Sequence, residues 1–85
     1  MSENNFTKIL DVRGLSCPLP LVKARKEISM LDAGETLKVL CSDRASIADF
    51  QGWSQTAKDV HLLKQETIEE EGKPVFIHYL QLKSK

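Results

Sequence analysis

The segment with the clearest chemical potential is the run Cys17-Pro18-Leu19-Pro20. Proline is tolerated in the first turn of a helix, because the N–H that it lacks would have no intrahelical partner there. Pro18 and Pro20 therefore predict that a helix begins close to Cys17. The positive end of a helix macrodipole favours a thiolate over a thiol, so we expect Cys17 to be an exposed, nucleophilic sulfur.

Residues around this segment are candidates for supporting the sulfur. Arg13 and Lys23 would stabilise a thiolate if their side chains pointed toward it. Gly14 permits the turn that precedes the helix, and Asp11 is expected to tie down the loop by accepting backbone N–H groups. Most cysteines are buried and behave as small hydrophobic residues, but cysteine is a poor helix cap beside Ser, Thr, Asp or Asn, which favours a chemical role here.

The residues missing from the neighbourhood of Cys17 restrict its chemistry. A cysteine hydrolase needs a general base, and neither His61 nor His78 is close in sequence. A dithiol enzyme needs a Cys-x-x-Cys pair, whereas the second cysteine is Cys41. No spacing of His and Cys resembles a zinc site. A lone thiolate suits the relay of a group between proteins, and sulfur held as a persulfide is a natural cargo.

Cys41 and Asp43 lie at the end of a predicted strand, and such ends gather at one edge of an α/β sheet. Cys41 is either a buried structural residue or a second, resolving thiol, and the sequence leaves both roles open. Asp43 or Ser46 is expected to cap the helix that follows, and Ser46 with Asp49 resembles a capping box.

Hydrophobic periodicity and turn residues predict six elements. The strands are expected over Thr7–Val12, Thr36–Cys41, His61–Ile68 and Pro74–Leu82, and the helices over Pro20–Leu31 and Ala45–Thr56. A turn over 69–73 would join the last two strands as an antiparallel hairpin. The order βαβαββ predicts an α/β two-layer sandwich in which two helices cover one face of a four-stranded mixed sheet. We expect residues 1–85 to form a single domain.

Two predicted surfaces bear on partners. The last strand is apolar on both sides, which indicates either a covered face or an interface, so a monomer and a weak homodimer both stay open. Lys23, Arg25 and Lys26 lie on the polar side of the first helix. They form either an ordinary solvated face or a docking surface for an acidic partner protein.

Composition excludes several function classes. The 85 residues contain 12 basic and 12 acidic side chains, and this zero net charge argues against direct nucleic-acid binding. No run of about 18 apolar residues predicts a membrane span. The first residues do not look like a secretory signal, so we expect a cytoplasmic protein with reduced thiols.

The run from Asp11 to Leu21 resembles the signature of the TusA/SirA-like sulfur-carrier family, an Asp followed by Gly-Leu-x-Cys-Pro-x-Pro and a basic amphipathic helix. The segment from Asp43 to Phe50 is similar to the second segment of that family, which has an Asp ahead of the second helix and an Asp paired with an aliphatic or aromatic residue within it. Trp53 follows where an aromatic residue is frequent. The sequence departs from the commonest family pattern at Cys41 and Arg44.

The resemblance implies a βαβαββ sandwich and a sulfurtransferase that carries persulfide sulfur on Cys17, with no bound cofactor or metal. Family members typically receive sulfur from a cysteine desulfurase or a rhodanese. They pass it to acceptor proteins in tRNA thiolation, molybdoenzyme maturation or sulfur oxidation, and some act beside a membrane thiosulfate transporter. Two other functions stay open from the residues themselves. One is a redox-sensing or regulatory module that uses Cys17 as a switch, and the other is a binding domain in which the turn is only structural.

Overall fold

The structure, a computed structural model, describes residues 8–16 and 19–83. Within them the chain forms β1 (Lys8–Asp11), α1 (Leu19–Ile28), β2 (Thr36–Cys41), α2 (Ala45–Thr56), β3 (Val60–Glu70) and β4 (Lys73–Leu82). The predicted order βαβαββ is confirmed, and the bounds of β2 and α2 are those expected from the sequence. Cys17 and Pro18 lie outside the described residues.

Several predicted boundaries were wrong, although all six elements are present. β3 and β4 each begin one residue earlier than predicted, at Val60 and Lys73. β1 ends at Asp11 rather than Val12. The first helix begins at Leu19 and ends at Ile28, because the next turn tightens to bonds three residues apart, such as that from the Leu31 amide to the Ile28 carbonyl at 3.1 Å. β3 continues through Glu70, so the turn before β4 contains only two residues.

The strands are arranged in the order β1-β2-β4-β3. β1 runs parallel to β2, whereas β4 is antiparallel to both β2 and β3. The carboxyl ends of β1, β2 and β3 therefore meet at one edge of the sheet. We call this the carboxyl edge, and it is marked by Val12, Ser42 and the turn at Glu71-Gly72.

The helices pack on one face of this sheet. Leu37, Val39 and Cys41 alternate along β2 toward the helices and are fully buried, as the period of two in a strand requires. Ala24 and Phe50 are the fully buried hydrophobic residues that the two helices contribute to the same core. The core therefore holds α1 and α2 against β2 and β4.

The opposite face of the sheet carries a second, smaller apolar cluster. Val75, Ile77 and Tyr79 of β4 are at most 5% exposed, and Leu40 packs beside them. The ammonium groups of Lys38 and Lys64 lie 5.8 and 5.5 Å from the centre of the Tyr79 ring. Of the two sequence-based alternatives for the apolar last strand, the single chain thus matches the covered face.

Candidate functional site

The loop between β1 and α1 is anchored at the carboxyl edge before the Cys17-Pro18 pair, and a local hydrogen bond joins the residues on either side of the pair. Before the pair, the Gly14 amide donates to Ser42 Oγ at 2.8 Å, and the Leu15 amide donates to the Val12 carbonyl at 3.2 Å. After it, the Leu19 amide donates to the Ser16 carbonyl at 2.9 Å. Gly14 has a φ of +90°, which residues with a Cβ rarely adopt, so the predicted need for glycine holds.

Arg13 is the most extensively bonded side chain of this loop. Its guanidinium donates to both carboxylate oxygens of Asp11 at 2.9 Å, and to Glu70 Oε1 at 2.7 Å. The Arg13 amide also donates to Asp11 at 3.1 Å, as expected for a residue that ties down the loop. These hydrogen bonds lower the pKa of Asp11 and raise that of Arg13. The charge of Arg13 is thus shared with two carboxylates, and its role toward Cys17 stays a prediction.

The exposed side of α1 combines apolar and basic groups. Leu19 and Val22 are 48% and 51% exposed, and Lys23 and Lys26 are exposed beside them. Pro20, in contrast, is buried in the first turn. Residues three or four positions apart share a helix face, so Leu19, Val22, Lys23 and Lys26 form one surface that starts two residues after Cys17. We call it the α1 surface. The sequence analysis identified the lysines of this surface but not its apolar residues, although Leu19 and Val22 also lie away from the buried side of α1.

Cys41 is fully buried on the helix side of β2. Burial raises the pKa of its thiol to about 11, and a hydrogen bond with Ser46 opposes this shift only partly. A thiol in this state is protonated at neutral pH and is a poor nucleophile. Of the two roles left open for Cys41, the geometry favours the structural one.

The start of α2 differs from the predicted capping box. Asp43 Oδ1 accepts the Ala45 amide at 3.1 Å, so Asp43 does cap this end. Ser46 does not cap it, because its buried hydroxyl lies 2.9 Å from His78 Nε2 on β4. The capping box was wrong because Ser46 falls on the inner side of the helix, where a core partner takes its hydroxyl.

His78 is the centre of a buried polar cluster that sequence reasoning did not foresee. Its Nδ1 lies 3.1 Å from Gln65 Nε2, which is a donor, so Nδ1 accepts and the ring proton is on Nε2, facing Ser46. The ring stacks on Phe50 with centroids 4.6 Å apart. Burial lowers the pKa of His78 to about 4, which keeps the ring neutral at pH 7. A sequence signal did exist, since His78 alternates with Phe76 and Leu80 on the inner face of its strand and a buried ring needs partners.

Two further observations concern cofactors and membranes. Among residues 8–16 and 19–83, no three His, Cys, Asp or Glu side chains are grouped so that they could hold a metal ion. In the same part of the chain, neither helix is long and apolar enough to cross a membrane.

Comparison with known proteins assigns the chain to a family. The model of the TusA sulfurtransferase family matches residues 8–78. The chain belongs to the TusA family. A candidate sulfur carrier of Halobacterium salinarum is 40% identical over 80 residues, which cover 94% of each chain. The sulfur carrier protein TusA of Allochromatium vinosum is 36% identical over 81 residues, which cover 94% of this chain and 97% of that protein.

A solved structure agrees with this assignment at the level of the fold. The crystal structure of a SirA-like protein from Desulfitobacterium hafniense matches with a TM-score of 0.64, covering 93% of this chain and 100% of that one, at 19% identity. The resemblance seen in the sequence motifs is therefore confirmed. Membership of the TusA family gives the chain a general role as a sulfur carrier in sulfur transfer.

Proposed function

We propose that Cys17 is the sulfur-carrying residue and that it accepts sulfane sulfur as a persulfide. The observation that carries this proposal is the state of the other cysteine. The chain has two cysteines, and Cys41 is fully buried with its pKa raised to about 11. A sulfur carrier needs an accessible thiolate. Cys17, in the loop anchored at the carboxyl edge and two residues before α1, is the thiol that remains for this task.

The proposed loading step is a thiolate exchange. The Cys17 thiolate attacks the outer sulfur of a donor persulfide, R–S–SH. A new S–S bond forms on Cys17, the S–S bond of the donor breaks, and its electron pair leaves with the donor as R–S⁻. The products are Cys17–S–SH and R–S⁻, so atoms and charge balance and no external oxidant is needed. An acceptor thiolate removes the outer sulfur by the same exchange, and Cys17 leaves as a thiolate.

The α1 surface is the proposed contact for the proteins that donate and accept the sulfur. Leu19 and Val22 supply apolar area, and Lys23 and Lys26 supply positive charge that attracts an acidic surface. We propose a cysteine desulfurase or a rhodanese as the donor, and an acceptor protein of a thiolation or sulfur-oxidation pathway. In this scheme the chain is a sulfurtransferase that relays sulfur between proteins.

Mass spectrometry of the intact protein tests the proposal. The protein is incubated with a cysteine desulfurase and cysteine, or with a rhodanese and thiosulfate, and the added mass is measured. We expect one added sulfur on the wild type and on Cys41→Ala, and none on Cys17→Ser. Sulfur on Cys41, or equal uptake by Cys17→Ser, would contradict the proposal. Sulfenate formation under peroxide without sulfur uptake would favour the redox-sensing alternative instead.

A further inference from the structure

The loop that follows β1 is joined to the β3–β4 hairpin across the end of the sheet. β1 and β3 are the two edge strands, and β2 and β4 lie between them. Strands in a sheet are about 4.8 Å apart, so these edges are separated by about 14 Å. Arg13 Nη1 nevertheless lies 2.7 Å from Glu70 Oε1. The loop therefore reaches over the end of β2 toward the hairpin.

We propose that Glu70 is a positioning residue, which holds the loop that leads to Cys17 through its contact with Arg13. This inference rests on the proposed role of Cys17 as the sulfur-carrying residue. Glu70 is 53 positions from Cys17 in sequence and belongs to a different supersecondary unit.

The hairpin gives Glu70 a fixed position. Glu70 is the last residue of β3 and pairs with Lys73 on β4. The two residues between them, Glu71 and Gly72, have φ values of +52° and +78°. Positive φ at both central residues is the geometry of a tight type I′ turn, which matches the twist of the strands that it joins. The carboxylate of Glu70 thus extends from a strand end whose backbone position is fixed by pairing with β4 and by the tight turn.

The loop side of the contact is equally constrained. Asp11 holds the Arg13 guanidinium through two hydrogen bonds of 2.9 Å, and this paired geometry fixes the plane of the group. The next residue, Gly14, is bonded to Ser42. The position of the Arg13 side chain is therefore coupled to the backbone of residues 13 and 14, which leads into Cys17.

Close packing of side chains does not hold the loop against the hairpin at this point, so the ion pair is the contact that does so. A cavity of about 370 Å³ lies at this point of the carboxyl edge, bordered by Gly14, Ser42, Lys73 and Pro74 as well as by the pair itself. The polar contact, rather than close-packed side chains, links the loop to the hairpin. Arg13 and Glu70 are 40% and 54% exposed, and exposed ion pairs contribute little to global stability. We therefore expect local loosening of the loop, without unfolding, when the pair is removed.

Hydrogen exchange of the Gly14 and Leu15 amides, followed by NMR, tests the contact directly. The test variant is Glu70→Gln, and the matched control is Glu69→Gln, which removes the same charge from the neighbouring position of β3. We expect Glu70→Gln to accelerate exchange at Gly14 about threefold, the size that an exposed ion pair allows. The control should exchange at the wild-type rate. Equal rates in Glu70→Gln and Glu69→Gln would overturn the proposal.

A second measurement separates positioning from docking. In single-turnover sulfur transfer from a persulfidated cysteine desulfurase, Glu70→Gln should lower the rate at saturating donor about threefold. The donor concentration that gives half of this rate should stay unchanged, because the α1 surface is intact. A change in that concentration alone would contradict a positioning role.

A double-mutant cycle completes the test. If Glu70 acts through Arg13, the variant Arg13→Gln/Glu70→Gln should exchange at Gly14 no faster than Arg13→Gln alone. If the increases in the Gly14 exchange rate of the two single variants multiply in the double variant, the two residues act independently and the inference is refuted. A wild type that takes up no sulfur would reject the proposed function, whereas the exchange rates would still decide whether Glu70 holds the loop.

Discussion

His78 Nε2 and Ser46 Oγ lie 2.9 Å apart in the core, and this contact joins β4 to the first turn of α2. Gln65 of β3 bonds to the other ring nitrogen at 3.1 Å and also donates to the Ile47 carbonyl at 3.1 Å. Three elements therefore meet at one neutral imidazole. The cluster sits directly beside Cys41, whose sulfur also contacts Ser46.

The neutral state of His78 predicts a pH-dependent stability. Burial lowers its pKa from 6.5 to about 4, so the unfolded chain binds a proton more readily than the folded one. The stabilisation is complete above pH 6.5 and is lost as the pH falls toward 4, by roughly 3 kcal/mol in the free energy of unfolding. Urea unfolding at pH 7.5, 5.5 and 4.5 measures this loss.

A His78→Gln variant is the control for that pH dependence, since its side chain does not titrate. It should be less stable at pH 7.5, and its stability should fall less between pH 7.5 and 4.5 than that of the wild type. His61→Gln, at the exposed histidine, is measured in parallel as the surface control. An identical slope in His78→Gln and the wild type would contradict the assignment.

Cys41 is expected to be protected from thiol reagents in the native protein. It is fully buried, and its raised pKa of about 11 suppresses the thiolate. The Cys17→Ser variant should therefore react with an aromatic disulfide reagent only as fast as the protein unfolds. The Cys41→Ala variant should react as fast as the more reactive of the two wild-type thiols. Removing the buried sulfur should lower the free energy of unfolding by about 1 kcal/mol. Rapid labelling of Cys17→Ser in the folded state would contradict this expectation.

Glu71 is a site at which stability can be gained. It has a φ of +52°, which costs a residue with an ordinary side chain about 1 kcal/mol. Asn tolerates this conformation, and Asn-Gly is the preferred pair in a type I′ turn. Glu71→Asn should raise the free energy of unfolding by about 0.5–1 kcal/mol, as measured by urea denaturation. Glu69→Asn, which lies within β3 two positions before Glu71, should give no such gain.

The basic residues of the α1 surface are expected to set the rate of partner association. Reversing both charges in Lys23→Glu/Lys26→Glu should slow sulfur transfer from a desulfurase about tenfold at low ionic strength and flatten its salt dependence. Lys58→Glu reverses an exposed charge beyond the end of α2 and is the control. Transfer kinetics that match the control at every salt concentration would exclude the α1 surface as the contact.

Local patterns predicted much of this fold. β2 and α2 have the expected bounds, because alternation along Thr36–Cys41 and the Asp43 cap are signals contained in the segments themselves. The order of elements followed from the same kind of signal. The end of α1 was missed because the chain tightens after Ile28 while its sequence stays compatible with a helix.

The contacts that depend on strand order could not be read from local patterns. The pairing of Arg13 with Glu70 follows from the arrangement β1-β2-β4-β3, which brings together residues 57 positions apart. Ser46 was misassigned for a related reason, since its partner lies on β4 and a capping pattern takes no account of distant strands. The motif around Cys17 was recognisable from the sequence, whereas Cys17 itself lies outside the described residues.

The burial of Cys41 also bears on how much sulfur each chain can transport. Under the proposed persulfide chemistry, the Cys41 thiol, which is enclosed between the sheet and the helices, would not be available to attack the sulfur held on Cys17 and form an internal disulfide. Each chain would then hold one sulfur atom at a time and return to its starting state after each delivery. The number of copies of the protein, rather than the chemistry within each copy, would set the amount of sulfur in transit.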